Sequence, residues 1–193
     1  MKIPLFITTQ TRTEEETLKD GLQKYYHENG QLGTKEHYKN GKLNGLLEYY
    51  YENGQLVSRS NYKNGKLHGL SEDFYESGQL WSRQNYKNGK KDGLSELFFS
   101  KNNNNPLVLH GPTRTKGNYN NGKRDNLWEF FHENGQPKQR GNYKGGKRDG
   151  LWETFYLKSN NNPFVLHGQL SIRENYKTGK RDGLVENFYK NGQ

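Results

Sequence analysis

The sequence has no cysteine and no alanine among its 193 residues, and only one methionine and five prolines. Without cysteine, disulfides, thiol catalysis and cysteine-ligated zinc are excluded. Without alanine, the strongest helix former, a helical bundle is all but excluded. Apolar residues amount to 28%, against about 45–50% in an ordinary globular chain, and the mean hydropathy is −1.29. So little apolar surface would suit a disordered chain. Two counts argue otherwise: aromatics reach 13%, and there are 23 glycines, well above the usual ~7%. Any core must therefore be aromatic and strand-built. Long apolar runs are missing too. None approaches the roughly 18 residues of a membrane span, and the apolar stretch from Ile3 to Ile7 is shorter than the ~7–15 residues of a signal peptide. The expected compartment is the cytoplasm.

What is present is repetition. Aligned on Gly-Leu, the chain reads Gly21-Leu22, Gly45-Leu46, Gly69-Leu70, Gly93-Leu94, Asn126-Leu127, Gly150-Leu151 and Gly183-Leu184. The steps are 24, 24, 24, 33, 24 and 33 residues, so the period is 24 and two repeats carry nine-residue insertions. The insertions, near residues 100–112 and 158–168, resemble each other (Asn-Asn-Asn-Pro, then Val-Leu-His-Gly), as duplication of a larger block would leave them. Nine Asn-Gly dipeptides punctuate the chain. Between alternating apolar residues Asn-Gly signals a two-residue type I′ hairpin turn. Each repeat holds two turns and hence two strands. The expectation is an all-β, elongated antiparallel meander of about 13 strands, roughly 60 Å long at ~4.8 Å per strand, with contacts between sequence neighbours only. Residues 1–19 form an N-terminal cap segment, in which Lys2 to Thr8 offers a strand and Thr13 to Glu16 a turn of helix. Residues 20–193 form the repeat domain of about seven repeats.

Register follows from the turns. With Asn53-Gly54 as a two-residue turn, Tyr51 faces Leu56, Tyr50 faces Val57 and Glu48 faces Arg59. The same count sets Glu72 against Arg83 and Glu129 against Arg140, and the inserted repeats offer Lys116 to Glu96 and Arg173 to Glu153. Opposite charges across an antiparallel pair contribute about 0.2–1 kcal/mol, so the repeated glutamate reads as a structural ladder rather than a row of catalytic carboxylates. The first repeat departs from it, with Lys24 opposite Lys35. Leu47, Tyr49 and Tyr51 share the face away from Glu48. Trp128 and Trp152 hold one position in adjacent repeats on that same face, and read equally as binding hot spots or as packing. Trp81 reads as structural, opposite Phe74.

The run Tyr62-Lys63-Asn64-Gly65-Lys66-Leu67-His68-Gly69-Leu70-Ser71-Glu72-Asp73-Phe74-Tyr75-Glu76-Ser77-Gly78-Gln79 resembles the MORN repeat in its bacterial variant form. Related runs start at Tyr38, Tyr86, Tyr119, Tyr143 and Tyr176. The resemblance spans about residues 20–193 and implies an elongated sheet of successive hairpins. Bacterial chains made only of this variant look like the YwqK-type antitoxin family, which implies neutralising a toxin by binding it. Eukaryotic arrays are instead linked to phospholipid binding, membrane tethering and dimerisation. The insertions, and Asn126 in place of glycine, depart from the regular pattern.

No Walker loop, nucleophile elbow or dinucleotide fingerprint is present, and none of the six histidines has metal-ligand spacing, so neither an enzyme nor a metal or cofactor site is expected. Charge, in contrast, is ordered. The balance is 30 basic to 21 acidic residues, net +9. One set of turns carries Lys39, Lys42, Lys63, Lys66, Lys87, Lys90, Lys91, Lys123, Arg124, Lys144, Lys147, Arg148, Lys177, Lys180 and Arg181. The other carries Glu28, Glu52, Glu76 and Glu133. In a meander these become the two long edges, one of them a basic rail. The partner-binding candidates are Trp128, Trp152, Tyr49, Tyr51, Lys90, Lys91, Lys123, Arg124, Lys147, Arg148, Lys180 and Arg181. The leading reading is a non-catalytic antitoxin or immunity protein that binds a toxin stoichiometrically, the partner being acidic or having an acidic rim, since a strongly basic toxin would be repelled. The alternative is a scaffold whose basic edge meets anionic phospholipid. Nucleic acid is disfavoured, because the aromatics repeat in step with strand packing. Exposed terminal strands leave room for a homodimer.

Overall fold

A computed structural model describes residues 20–100, 111–157 and 169–189. The cap segment 1–19 and most of both insertions lie outside the described residues. The rest is strand and turn, without helix: β1 (Gly21–Tyr26), β2 (Leu32–Lys39), β3 (Lys42–Leu43), β4 (Gly45–Tyr50), β5 (Leu56–Lys63), β6 (Lys66–Phe74), β7 (Leu80–Lys87), β8 (Lys90–Phe98), β9 (Thr113–Asn120), β10 (Lys123–Phe131), β11 (Pro137–Lys144), β12 (Lys147–Phe155), β13 (Leu170–Lys177) and β14 (Lys180–Asn187). All belong to one antiparallel sheet in sequence order, with β3 a two-residue piece paired to β2. Residues 42–50 are thus one strand interrupted at Asn44, whose N–H donates to the His37 carbonyl (2.8 Å). That leaves the 13-strand meander the spacing predicts.

The two sets of turns differ. At Asn64-Gly65 both residues have positive φ, 52° and 76°, the type I′ geometry; the other basic turns share it. At Asn53-Gly54 only the glycine does, at 81°. There the Tyr51 N–H donates to the Gln55 carbonyl and the Gly54 N–H to the Tyr51 carbonyl, both at 2.8 Å. This is a three-residue loop closed by a glycine bulge. The Asn53 side chain settles the choice by accepting the Gln55 N–H (3.0 Å). The expected two-residue turn is corrected accordingly: Tyr50 pairs with Leu56, not Val57, and Tyr51 meets Gln55. The same bulge sets Leu80, not Trp81, opposite Phe74, and Trp81 instead packs on Tyr75 with ring centroids 6.4 Å apart.

The Gly-Leu signature is a second bulge. His68, Gly69 and Leu70 stand against Asn61 alone, with Gly69 at φ 99° and the Asn61 amide donating to the Leu70 carbonyl (3.0 Å). Asn126 fills the equivalent place at φ 58°, a region asparagine tolerates better than other side chains.

Beyond each bulge the register returns, and one row crosses every strand on the path: Lys24, Lys35, Glu48, Arg59, Glu72, Arg83, Glu96, Lys116, Glu129, Arg140, Glu153, Arg173 and Glu186. From Lys35 onward the sign alternates at every step. Partners are chosen along the row, not always across the expected hairpin. Glu48 stands opposite Arg59 but pairs with Lys35 (3.1 Å), and Glu129 stands opposite Arg140 but pairs with Lys116 (3.0 Å). Arg140 turns instead to Glu153 (2.7 Å). Glu72 is held from both sides, by Arg59 (2.5 Å) and Arg83 (2.9 Å), and its side chain is 2% exposed. Burial alone would raise its carboxyl, but the two guanidinium groups outweigh it and hold the group below the ordinary glutamate value.

Glu72 therefore stabilises the fold above the ordinary glutamate range, and that contribution is lost as pH falls through its lowered folded value. Replacing it by alanine strips two arginines of their partner, and the expected loss is about 2 kcal/mol. Glu129→Ala, at a more exposed pair, is expected to cost under about 1 kcal/mol. Urea unfolding of both variants at pH 7 and pH 3 checks this: the gap between Glu72→Ala and the parent narrows at the lower pH.

Candidate functional site

Two features lie outside the ladder. The first is the edge built by the type I′ turns. Lysines face each other directly across five of them, Lys39 and Lys42, Lys63 and Lys66, Lys87 and Lys90, Lys144 and Lys147, and Lys177 and Lys180, while Lys123 faces Asn120. All eleven are exposed. Successive turns are tied in line. From the second turn on, the glycine N–H of each donates to a carbonyl of the preceding hairpin, as from Gly65 to Leu43, Gly122 to Lys91 and Gly146 to Arg124, at 2.8–2.9 Å, while the Gly41 N–H at the first donates to the Asp20 carboxylate (3.2 Å). Asp92 and Asp149 accept further N–H groups from the turns that follow, at Asn121 (3.1 Å) and Thr178 (3.4 Å).

The second feature is on the face away from the ladder. Trp128 and Trp152, expected as partner-binding candidates, are 2% and 1% exposed, so both rings are covered in this structure. The cover is local. Gly117 and Gly141 lie opposite on the neighbouring strands, and a Cβ on either would fall inside the indole's van der Waals envelope. Neither glycine has positive φ, so both are required for space, not conformation. Each indole N–H donates to a neighbouring carbonyl, Trp128 to Asn118 and Trp152 to Asn142, both at 3.0 Å. Tyr119 and Tyr143 pack edge-on against Trp128, and Tyr143 and Tyr176 against Trp152. Arg124 lies over the Trp128 ring at 4.4 Å and Arg148 over Trp152 at 4.1 Å.

Four of the fifteen residues of the expected basic rail, Lys91, Arg124, Arg148 and Arg181, therefore leave the outer edge for this face. Arg124 and Arg148 belong to this face, donating to the hydroxyls of Tyr143 and Tyr176 (3.1 Å each). Burial would disfavour the Arg124 charge, but the Tyr119 and Tyr143 hydroxyls outweigh it and raise the group above its ordinary value. Lys91 sits over Tyr119 (5.2 Å), and Arg181 pairs with the buried Glu174 (2.7 Å). Lys90, Lys123, Lys147 and Lys180 stay on the outer edge. Tyr49 is half-buried opposite Ser58 and Thr34, and Tyr51 sits at the far, acidic edge, so neither joins the lysines. Where Ser95 occupies the place of the tryptophans, the face sinks into an open groove of about 700 Å³ flanked by Lys91, Tyr119, Arg124 and Phe130. Two of its lining cations, Arg114 and Lys138, are not among the sequence candidates. Their signal was weak, one beside an insertion and the other past a proline.

Two of the four described histidines meet backbone carbonyls, His27 that of Tyr50 (2.8 Å) and His37 that of Leu46 (3.0 Å). Among the described residues no three metal-ligating side chains converge.

A family model described as the MORN repeat variant matches residues 19–40, 43–64, 67–88 and 124–144. The two repeats interrupted by insertions lie outside the matched segments. No curated protein matches the chain.

The tryptophan cover predicts a steric penalty. Gly117→Ala or Gly141→Ala is expected to destabilise the fold by about 1–3 kcal/mol, and Ser95→Ala, which exchanges one small buried side chain for another, by much less. Thermal unfolding followed by tryptophan fluorescence checks both, with a red-shifted native spectrum expected only for the glycine variants.

Proposed function

We infer that this chain, which carries MORN-variant repeats, is a non-catalytic binding module whose ligand is an acidic protein, and that it serves as a cytoplasmic antitoxin or immunity protein that neutralises its partner by stoichiometric binding. Repeats of this family are generally protein- or membrane-binding modules. The observation that carries the finer reading is the lysine edge. Like charges directly opposite in a sheet are destabilising, and here five turns place lysine against lysine, with no carboxylate in an ion pair to any of them among the described residues. Among the described residues no ion pair inside the fold offsets that arrangement. An incoming acidic surface would relieve it, and the +9 net charge would speed the encounter.

The test separates stability from function. Lys90→Glu, Lys147→Glu and Lys180→Glu each turn a like-charged pair into an opposite-charged one. The triple variant is expected to melt no lower than the parent, yet to lose most of its partner. Tagged parent and variant are captured from native cells at low and high salt, and the co-purifying protein is expressed alone and with each. One stoichiometric protein that survives high salt, is acidic, and stops growth unless the parent is co-expressed supports the reading. Recovery of lipid alone, with flotation on anionic vesicles at low salt, transfers the edge to a membrane and overturns it.

A further inference from the structure

We propose that Arg124 and Arg148 form a pre-set pair of guanidinium receptors on the face opposite the charge ladder, and that they take carboxylates from an acidic protein segment laid across the strands. This rests on the acidic-protein reading above and assigns its specific contacts to two residues.

The ladder shows what the structure does with an arginine in the ordinary way: Arg59, Arg83, Arg140 and Arg173 all meet a glutamate. Arg124 and Arg148 are half-buried, and among the described residues neither contacts a carboxylate. Their partners are a ring beneath and tyrosine hydroxyls beside, with Gln139 as a further acceptor for Arg148 (3.3 Å). Those contacts fix each guanidinium without neutralising it, and a guanidinium has five N–H donors, more than these acceptors use. A held, unneutralised fork is the group that matches a carboxylate bidentately, and holding it in advance removes the ordering cost of binding.

The same stacking rules out the rival ligand. Single-stranded nucleic acid needs open aromatic faces on which bases stack. Here the indole faces are spent, on glycine below and guanidinium above, and the tyrosines lie edge-on. The groups presented outward are cations. The two arginines stand two strands apart, roughly 10 Å. Lys123 and Lys147 on the adjoining edge add charge that steers without fixing geometry. The set stops at both ends for visible reasons. Arg181 is neutralised by Glu174, which occupies the place of Gly117 and Gly141, and Lys91 has Ser95 where the others have tryptophan.

The tryptophans beneath the arginines give the readout. Decaglutamate is titrated into the protein at about 0.15 M salt, with tryptophan fluorescence and calorimetry followed together, and with inorganic phosphate and oligothymidylate as comparison ligands. A saturable fluorescence change is expected with decaglutamate. Arg124→Lys with Arg148→Lys keeps the charge and loses the fork, and is expected to weaken binding at least about tenfold, the equivalent of one charge-assisted hydrogen bond. Arg181→Lys, in the same row but already paired, is expected to leave it within twofold. The proposal is overturned if the double lysine variant, shown folded by circular dichroism, binds as the parent does. It is also overturned if Arg181→Lys loses as much, or if oligothymidylate gives an equal response. If the native capture experiment yields no acidic protein while decaglutamate still binds through Arg124 and Arg148, the antitoxin reading falls and the receptor pair stands.

Discussion

A sheet one layer thick has no second layer to bury itself against, and each face must be covered by its own side chains. That constraint organises the described residues of this chain. One face is covered by charge. The row from Lys35 to Glu186 sets every carboxylate but the last between two cations, and Glu48, Glu72, Glu129, Glu153 and Glu186 find ion-pair partners within the face. Glu72 is the limiting case, closed on both sides by arginine and nearly removed from solvent. Five of the leucines beside the row, Leu22, Leu94, Leu127, Leu151 and Leu184, stay 41–72% exposed, and the ladder cations cover rings on this face, Arg59 over Phe74 and Arg140 over Phe155, so ion pairs and cation–ring contacts carry most of its cover.

The other face is covered by size complementarity. The place after Gly-Leu holds Leu47, Ser71, Ser95, Trp128 and Trp152 in turn, and the strand across holds Ser60, Gln84, Gly117 and Gly141. Small residues in the middle of the chain leave polar contacts, such as Ser60 with Ser71 (2.7 Å) and Gln84 with Ser82 (2.8 Å). Later, the pairing of tryptophan with glycine lets an indole lie flat on the backbone of its neighbour. A large ring is buried without any opposing layer, because the missing Cβ supplies the depth and an arginine on the same strand supplies the lid.

The sequence made the meander legible because its evidence is periodic: 24 residues per repeat and two turns in each. The insertions do not disturb the faces, since Glu96 still stands opposite Lys116 and Glu153 opposite Arg173. Pairing is set by the strands on either side, not by the length of the loop between them. Two things were not legible. Asn53-Gly54 and Asn64-Gly65 are the same dipeptide, but the asparagine side chain locks one into a three-residue loop while the other closes as type I′. The fate of the tryptophans was also hidden, because what buries Trp128 is a residue on the adjacent strand and the arginine four positions earlier. A signal was present: Gly117 and Gly141 sit inside strand patterns where Ser60 and Gln84 stand in other repeats, and a glycine inside a strand marks a close approach.

The division of the basic residues follows from the same geometry. In the C-terminal half each basic turn is followed by lysine and then arginine, and alternation along a strand sends consecutive side chains to opposite sides. Lys123 and Lys147 are left on the edge, in water, where a charge acts at a distance and is screened by salt. Arg124 and Arg148 are carried onto the aromatic face, where a charge is held in place and desolvated, and where its geometry counts. Exchanging the two residue types would give neither role: lysine lacks the planar fork that rests on an indole, and an arginine at the edge would gain no fixed partner. On the reading proposed above, the Lys-Arg dipeptides at 123–124 and 147–148 separate long-range attraction from short-range recognition within two adjacent residues. The charge ladder, with its ion pairs on the opposite face, is left to carry stability.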